Sequence, residues 1–267
     1  MREEKPPKKP VTGRRRSLVI TIDLIVYWLS KRWVSVFSVL VGIYVGLPIL
    51  APILMQVGLT GPAGAIYRVY SPFCHQMASR SFFLFGEQYA YPRAIAGSDL
   101  EPIESYMAGI LEFENVSTDP AEWTTFLLPA RRFLGNEQLG FKMALCERDI
   151  AIYGFVFIGS VLYGLLRKRY RIKPMPLWLF FLVGIGPIAL DGFSQLFSQY
   201  ATAVEPLSFV SNILVLREST PFMRFFTGAL FGFSLVWLTY PHIDKGMQDT
   251  ERQLAEKLTK AGVLTES

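Results

Sequence analysis

The sequence predicts an all-α fold, a polytopic membrane helix bundle with four transmembrane helices, an amino-terminal interfacial helix and an outward helical insert. Of the 267 residues, 51% are hydrophobic and only 18% are charged, whereas about a quarter of the residues in a soluble domain are charged. The apolar residues also fall in long continuous runs, and a hydrocarbon core takes about 20 such residues to cross. The 2 cysteines are too few for a disulfide-scaffolded secreted module.

Four apolar runs are long enough, or nearly so, to span a bilayer, at about 34–57, 150–166, 177–197 and 221–240. Two of these runs contain residues that disturb helices. Pro48 and Pro52 are expected to kink the first, and the third is interrupted by Gly184, Gly186 and Pro187.

The start of the fourth run carries the signals of a helix amino terminus. Ser219 and Thr220 are cap candidates, and Pro221 occupies a favourable first helical position. Further along, Gly228 and Gly232 form a GxxxG pattern, which indicates a close helix contact.

The segments outside the bundle, which covers residues 18–240, are predicted separately. Residues 1–17 form a basic, disordered tail, and the apolar stretch Leu18–Leu29 is too short to span, so we expect it to lie in the membrane interface. Residues 241–267 are predicted as an amphipathic tail, helical over Gln248–Leu264.

The distribution of charge predicts the orientation in the cell membrane. Residues 1–33 carry 9 Lys and Arg against 3 acidic residues, and the loop 167–173 carries 5 with no acid. Under the positive-inside rule, both termini and this loop are cytoplasmic, and the other connections face outward. The net charge of +5 therefore reflects membrane topology, and no nucleic acid partner is expected.

The segment 71–86 is predicted to form one outward helix that begins at Pro72 and ends at Gly86. That helix would place Cys74 and His75 in its first turn, where the helix dipole lowers a thiol pKa. Gln76 and Arg80 are four residues apart and would share a face.

A second pair of soft or acidic side chains, Cys146 and Asp149, lies at the outer end of the second span. Together with Cys74 and His75 these residues offer donors suited to a divalent metal such as zinc. Two other interpretations remain open: a disulfide between Cys74 and Cys146, and plain packing of two buried thiols.

Ionisable residues near the outer face predict a polar site. Asp191 lies inside the third span, where a charged group is costly and indicates function, and Gln195 follows one turn later. Arginines at the mouth of the fourth span suit carboxylate or phosphate recognition, or a pairing with Asp191. The predicted site comprises Gln76, Arg80, Arg148, Asp191, Gln195, Arg217, Glu218 and Arg224.

The outward insert, residues 87–142, is acidic and is predicted to act as a lid or a docking surface. A Ser98/Glu101 capping box and the pair Asp119–Pro120 indicate two helix starts within it. The predicted partners are the lipid bilayer, a protein bound through this insert, and a second copy of the chain.

Four ordered motifs resemble a family of bacterial and archaeal membrane proteins, catalogued as domain of unknown function two-zero-eight-five. The family has no established activity, and the resemblance implies a multi-span membrane protein. Its second motif usually carries another cysteine where this chain has Asp149. The motifs are CHQMASRSF (Cys74–Phe82), CERDIAIYGF (Cys146–Phe155), ALDGFSQLF (Ala189–Phe197) and a segment from Arg217 to Gly232.

Three classes of function fit these patterns. A non-catalytic membrane protein with an outward polar site, acting as a complex subunit or as a lipid or small-molecule binder, is favoured. A metal-dependent membrane enzyme would use Asp191 as acid or base and the arginines to hold anionic groups. A transporter would bind cargo at Asp191 and the broken third helix.

Overall fold

A computed structural model describes residues 13–119, 122–203 and 216–265. The described chain is mostly helical, and four of its helices are long and apolar enough to cross a membrane, which confirms the predicted fold class. In chain order the helices are α1 (Arg14–Gln56), α2 (Thr60–Tyr70), α3 (Trp123–Arg132), α4 (Glu147–Leu166), α5 (Leu177–Leu179), α6 (Gly186–Ala203) and α7 (Pro221–Lys260).

Helix α1 is a single uninterrupted helix of 43 residues. The predicted interfacial helix Leu18–Leu29 is therefore not a separate element, and residues 14–17 of the predicted disordered tail are helical. Neither Gly nor Pro occurs between Arg14 and Val41, so nothing in this stretch breaks the helix. Residues 1–12 of the predicted tail lie outside the described residues.

Two prolines inside α1 leave carbonyl groups that bind the chain between α1 and α4. A proline has no N–H, so the carbonyl four residues before it loses its helical partner. Pro48 frees the Tyr44 oxygen, which accepts a hydrogen bond from the Tyr70 hydroxyl at 2.7 Å. Pro52 frees the Pro48 oxygen, which accepts one from the Ala144 N–H at 3.2 Å.

Helix α7 uses Pro241 in the same way at the other end of the bundle. Its freed carbonyl, that of Trp237, accepts a hydrogen bond from the Met175 N–H at 3.2 Å. Because α7 passes through Pro241 without a break, the predicted carboxyl-terminal helix is continuous with the fourth span. Thr220 caps its start by accepting from the Met223 N–H, as predicted.

Helices α4 and α7 pack closely at the predicted GxxxG pattern. A Cβ atom placed on Gly228 would lie 2.7 Å from the Arg148 carbonyl oxygen, and one on Gly232 would lie 2.3 Å from that of Ile152. Only glycine permits this approach, so the predicted close helix contact is confirmed.

The third apolar helix changes its winding where its sequence is interrupted. A π-helix over Phe180–Ile185 joins α5 to α6, and the Gly186 N–H donates to the Phe181 oxygen five residues back. Pro187 follows directly, and its missing N–H weakens the ordinary α-helical ladder at this point.

Between α1 and α4 lies a unit with its own apolar core. Three short strands, β1 (Phe83–Leu84), β2 (Gly135–Asn136) and β3 (Gly140–Lys142), form an antiparallel sheet in the order β1-β3-β2. The described part of the unit also has α2, α3 and 3₁₀ turns at Ala78–Arg80, Ala94–Ala96, Ile103–Tyr106 and Leu111–Phe113. The insert is therefore mixed, not purely helical.

The predicted helix over residues 71–86 is wrong. The chain turns after Tyr70, Gln76 takes a left-handed conformation with φ 51°, and Phe83 and Leu84 pair with β3. Gln76 and Arg80 therefore do not share a helix face. No helix begins at Ser98 either. The helix expected at Asp119–Pro120 begins instead at Trp123, and residues 120–121 lie outside the described residues.

Candidate functional site

The centre of the site is the amino-terminal turn of α4, residues Cys146–Asp149, which we call the CERD turn. Successive residues on a helix point about 100° apart. The side chains of the turn therefore reach different neighbours: Cys146 lies beside Cys74, Glu147 pairs with Arg224, and Arg148 pairs with Asp191.

Cys74, Cys146 and Asp149 form the first cluster, which we call the Cys–Cys–Asp cluster. Their ligand atoms, two Sγ and one carboxylate oxygen, all lie within 4.8 Å of one another. The Cys146 thiol lies 3.1 Å from Asp149 Oδ2. Cys74 Sγ accepts hydrogen bonds from the N–H groups of Gln76 at 3.4 Å and Cys146 at 3.2 Å. Both cysteines are free thiols.

His75 was predicted as a fourth ligand, and the structure does not bring it into the Cys–Cys–Asp cluster. Cys74 is buried among Tyr67, Tyr70 and Leu145. The next residue in this non-helical segment points the other way, so the His75 side chain is exposed.

The two thiols differ in acidity because they interact with each other. The hydrogen bond from the Cys146 side chain lowers the pKa of Cys74 and outweighs the effect of burial. The same interaction, together with burial, raises the pKa of Cys146. Cys74 is therefore the thiol that ionises first, and its charge is stabilised by two backbone N–H groups.

The second cluster is a buried ion network around Arg224. Its guanidinium lies 3.1 Å from Glu147 Oε2 and 2.7 Å from Glu218 Oε1, and it donates to the Ser79 carbonyl at 3.2 Å. Arg80 Nε lies 2.8 Å from the same Glu218 oxygen. Burial raises the pKa of Glu218, but Arg80 and Arg224 outweigh it and hold that pKa below its usual value.

The third cluster surrounds Asp191. Arg148 pairs with Oδ2, and Arg217 lies 3.1 Å from Oδ1. The Ser219 hydroxyl lies 2.8 and 2.7 Å from the two oxygens, and the Gln195 side chain accepts from the Ser219 N–H at 3.3 Å. The buried carboxylate is thus fully bonded, in agreement with the predicted pairing to arginine.

Most of the predicted polar residues meet around the CERD turn, and Gln76 has a separate place. Its side-chain amide donates to the carbonyls of Tyr67 at 2.9 Å and Ala144 at 2.8 Å, so it joins α2 to the segment before α4. The sequence reasoning missed Glu147. The signal for it was its position beside Arg148 in the first turn of a span, where an acid requires a basic partner.

A second missed residue is Lys142, which is 0% exposed. Its ammonium donates to the carbonyls of Gln76 at 2.5 Å, Ala130 at 3.2 Å and Arg131 at 2.8 Å. Burial lowers the pKa of Lys142 to about 7. This lysine ties the loop that carries Cys74 to α3 and β3.

The Cys–Cys–Asp cluster offers three ligand atoms that could hold a divalent metal ion. A tetrahedral zinc ion with Zn–S bonds of about 2.3 Å holds its sulfur ligands about 3.8 Å apart, and the three ligand atoms already lie within 4.8 Å. Two thiolates and one carboxylate would leave a fourth position for an exchangeable ligand. The amide N–H groups on Cys74 Sγ are the outer hydrogen bonds that orient such ligands.

Comparison with known proteins agrees with this description. Residues 131–238 match the model of a family described as "Predicted membrane protein (DUF2085)", which confirms the resemblance seen in the motifs. The chain is also similar to the uncharacterized protein MJ1492 of Methanocaldococcus jannaschii, with 26% identity over 176 residues, 66% of this chain and 67% of the relative. No solved structure matches the chain significantly. The chain is a multi-pass membrane protein of unknown function whose helices contact the lipid bilayer.

Proposed function

We propose that this membrane protein binds a divalent metal ion, with zinc as the expected ion, through Cys74, Cys146 and Asp149. One observation carries the proposal: two segments 72 residues apart bring two free thiols and a carboxylate within 4.8 Å of one another. Such a donor set suits zinc and other thiol-binding metals.

The surrounding charges favour a binding role over a catalytic one. Asp191 accepts hydrogen bonds from Arg148, Arg217 and Ser219, and such a carboxylate is poorly placed to act as a base. The Arg224 guanidinium is likewise occupied, because it pairs with Glu147 and Glu218. We infer that these ion pairs hold the outer ends of α4, α6 and α7 in register and so support the metal ligands.

Elemental analysis of protein purified anaerobically in detergent tests the proposal. We expect about one metal ion per chain in the wild type, and its loss in C74S, C146S and D149N, because three protein ligands hold the ion. H75A is the matched control and is expected to keep the metal, since His75 lies outside the Cys–Cys–Asp cluster. Loss of the metal in H75A alone would contradict the proposed ligand set.

Cobalt and thiol titrations separate metal binding from the two rival interpretations. Cobalt added to the metal-free wild type should give a thiolate charge-transfer band that C74S and C146S lack. Thiol titration of native membranes under non-reducing conditions reports the disulfide. A Cys74–Cys146 disulfide in native membranes, or two free thiols without any cobalt band, would overturn the proposal.

The orientation is part of the proposal. The basic amino terminus and the basic loop 167–173 support cytoplasmic termini in the cell membrane, with the Cys–Cys–Asp cluster facing outward. In a C74S/C146S background, a membrane-impermeant maleimide applied to spheroplasts should label E112C in the insert and leave K168C unlabelled. The reverse pattern would place the Cys–Cys–Asp cluster on the cytoplasmic side.

A partner surface on the insert is a second candidate role. Leu111 is 81% exposed at the 3₁₀ turn Leu111–Phe113, so its apolar side chain is available for contact with another protein. Native mass spectrometry of the detergent-solubilised complex distinguishes a second copy from a different protein. We expect L111D to release the bound partner, and an unchanged complex would count against docking at this turn.

A further inference from the structure

An open cavity of about 680 Å³ lies between α2 and α3, and three arginines line it: Arg68, Arg131 and Arg132. We call it the arginine cavity. No carboxylate is among the described residues that line it. None of the ion pairs formed within the described part of the chain includes any of the three arginines.

Arg131 is held in place across the cavity. Its Nη2 donates to the Ser71 carbonyl at 3.0 Å and to the Ser71 hydroxyl at 2.5 Å. A guanidinium carries five N–H donors in a fixed plane, so Arg131 keeps other donors for a ligand. Three like charges around one space repel one another, and a bound anion would relieve that repulsion.

Two glycines of α2 keep the space open. Gly61 and Gly64 line the cavity, and a Cβ atom added to either would meet no other atom within 4 Å. The first turn of α2 faces the same space through Thr60 and Gly61, and the preceding Leu59 offers no side-chain cap. The backbone N–H groups of this turn add to the positive field of the arginines.

We propose that the arginine cavity binds a phosphate group. Arginine pairs with phosphate through parallel N–H···O bonds, and three guanidinium groups match the charge and the several oxygens of one phosphate better than a single carboxylate. Leu128 and Leu134 also line the cavity and would contact the organic part of a phosphate ester. The phosphate belongs either to a lipid headgroup or to a small soluble molecule.

Two binding measurements on the full chain distinguish these sources. The first titrates inorganic phosphate into the detergent-purified protein and follows the heat of binding. The second compares protein in phosphatidylcholine nanodiscs with and without phosphatidylglycerol, and counts retained lipids by native mass spectrometry. Binding in the first supports a soluble ligand, and selective retention of phosphatidylglycerol supports a lipid headgroup.

Charge-matched variants test the residues. We expect R68A, R131A and R132A each to weaken the observed binding about tenfold or more, because each removes a charge-assisted hydrogen bond. R169A removes the same charge from the loop 167–173 and is expected to leave binding unchanged. Arg68 and Arg132 are exposed, so their variants remain informative if R131A fails to fold.

G64L tests occupancy of the cavity without removing a charge. Its side chain would extend into open space, so the fold should be retained while binding falls as in the arginine variants. If G64L binds as the wild type does, the arginines act only as a surface charge and the proposal is wrong. Failure to detect either inorganic phosphate or selective phosphatidylglycerol binding would also overturn it.

Discussion

Arg224 Nη1 lies 3.1 Å from Glu147 Oε2, and the two side chains are 3% and 0% exposed. The arginine belongs to the first turn of α7 and the glutamate to the first turn of α4, so the pair joins the amino-terminal ends of two helices. Because Glu218 also pairs with Arg224, one buried cation serves two buried acids.

We therefore expect R224M to destabilise the protein strongly. Removing the cation leaves Glu147 without its ionic partner in the interior, and breaking a buried pair costs about 3–5 kcal/mol. Denaturant unfolding in detergent micelles, followed by circular dichroism, measures the loss. The double variant E147Q/R224M should recover part of it, since one buried charge is then removed.

R217M is the control for R224M. The Arg217 side chain is 41% exposed, and its partner Asp191 keeps Arg148 and Ser219. Partly exposed ion pairs contribute about 1 kcal/mol or less. Equal losses in R217M and R224M would show that burial of the pair does not determine its contribution.

The prolines inside the long helices predict a local effect on hydrogen exchange. In the wild type the Pro48 oxygen accepts a hydrogen bond from the Ala144 N–H. In P52A the restored N–H of residue 52 competes for that oxygen. A hydrogen bond contributes about 1 kcal/mol, so we expect the Ala144 amide to exchange about fivefold faster. Hydrogen–deuterium exchange with mass spectrometry measures this.

P241A is the reciprocal control. Its freed carbonyl, that of Trp237, binds Met175 at the other end of the bundle. Exchange should therefore increase around Met175 and remain unchanged around Ala144. Faster exchange at both places in both variants would indicate general destabilisation and would contradict the assignment.

The features that depend on local sequence were predictable. Continuous apolar runs located the four spans, Thr220 and Pro221 marked the start of α7, and the GxxxG pattern located the contact of α7 with α4. A pairing of Asp191 with arginine was one of the interpretations that the sequence left open, because an acid inside a span needs a basic partner.

The features that depend on distant partners were not predictable. Ser71 and Pro72 resemble a helix start, but Phe83 and Leu84 pair with Phe141 and Lys142, more than fifty residues away. This long-range pairing overrides the local helical signal. The interfacial helix was separated wrongly for a different reason: basic residues are good helix formers and do not end a helix.

Close packing at Gly232 predicts a specific cost for a single methyl group. In G232A the new Cβ would lie 2.3 Å from the Ile152 oxygen, and backbone atoms of α4 and α7 must move apart. We expect a loss of about 2 kcal/mol or more, as for overpacked interiors. Thermal unfolding in detergent measures it.

G246A is the control for that variant because Gly246 lies in the same helix and a Cβ there meets nothing within 4 Å. Alanine is a better helix former than glycine by about 1 kcal/mol, so G246A should be slightly more stable than the wild type. A destabilised G246A would mean that substitutions in α7 act through something other than contact with α4.

The buried ammonium of Lys142 predicts a pH dependence of stability. Burial lowers its pKa from 10.5 to about 7. Between these values the unfolded chain holds a proton that the folded chain has lost, so stability should rise with pH. One such proton contributes about 1.4 kcal/mol per pH unit. Below pH 7 both states are protonated and the dependence should vanish.

K142M tests this dependence through the slope of the unfolding free energy against pH between about 7.5 and 9.5, a range that lies inside the interval defined by the two pKa values. The substitution also removes three hydrogen bonds to carbonyl groups, and the resulting loss of stability shifts the line without changing its slope. We expect a smaller slope in K142M and an unchanged slope in K168M, in which a surface lysine is replaced. If K142M keeps the slope of the wild type, Lys142 remains protonated in the folded protein throughout this range, and its three carbonyl partners outweigh the effect of burial.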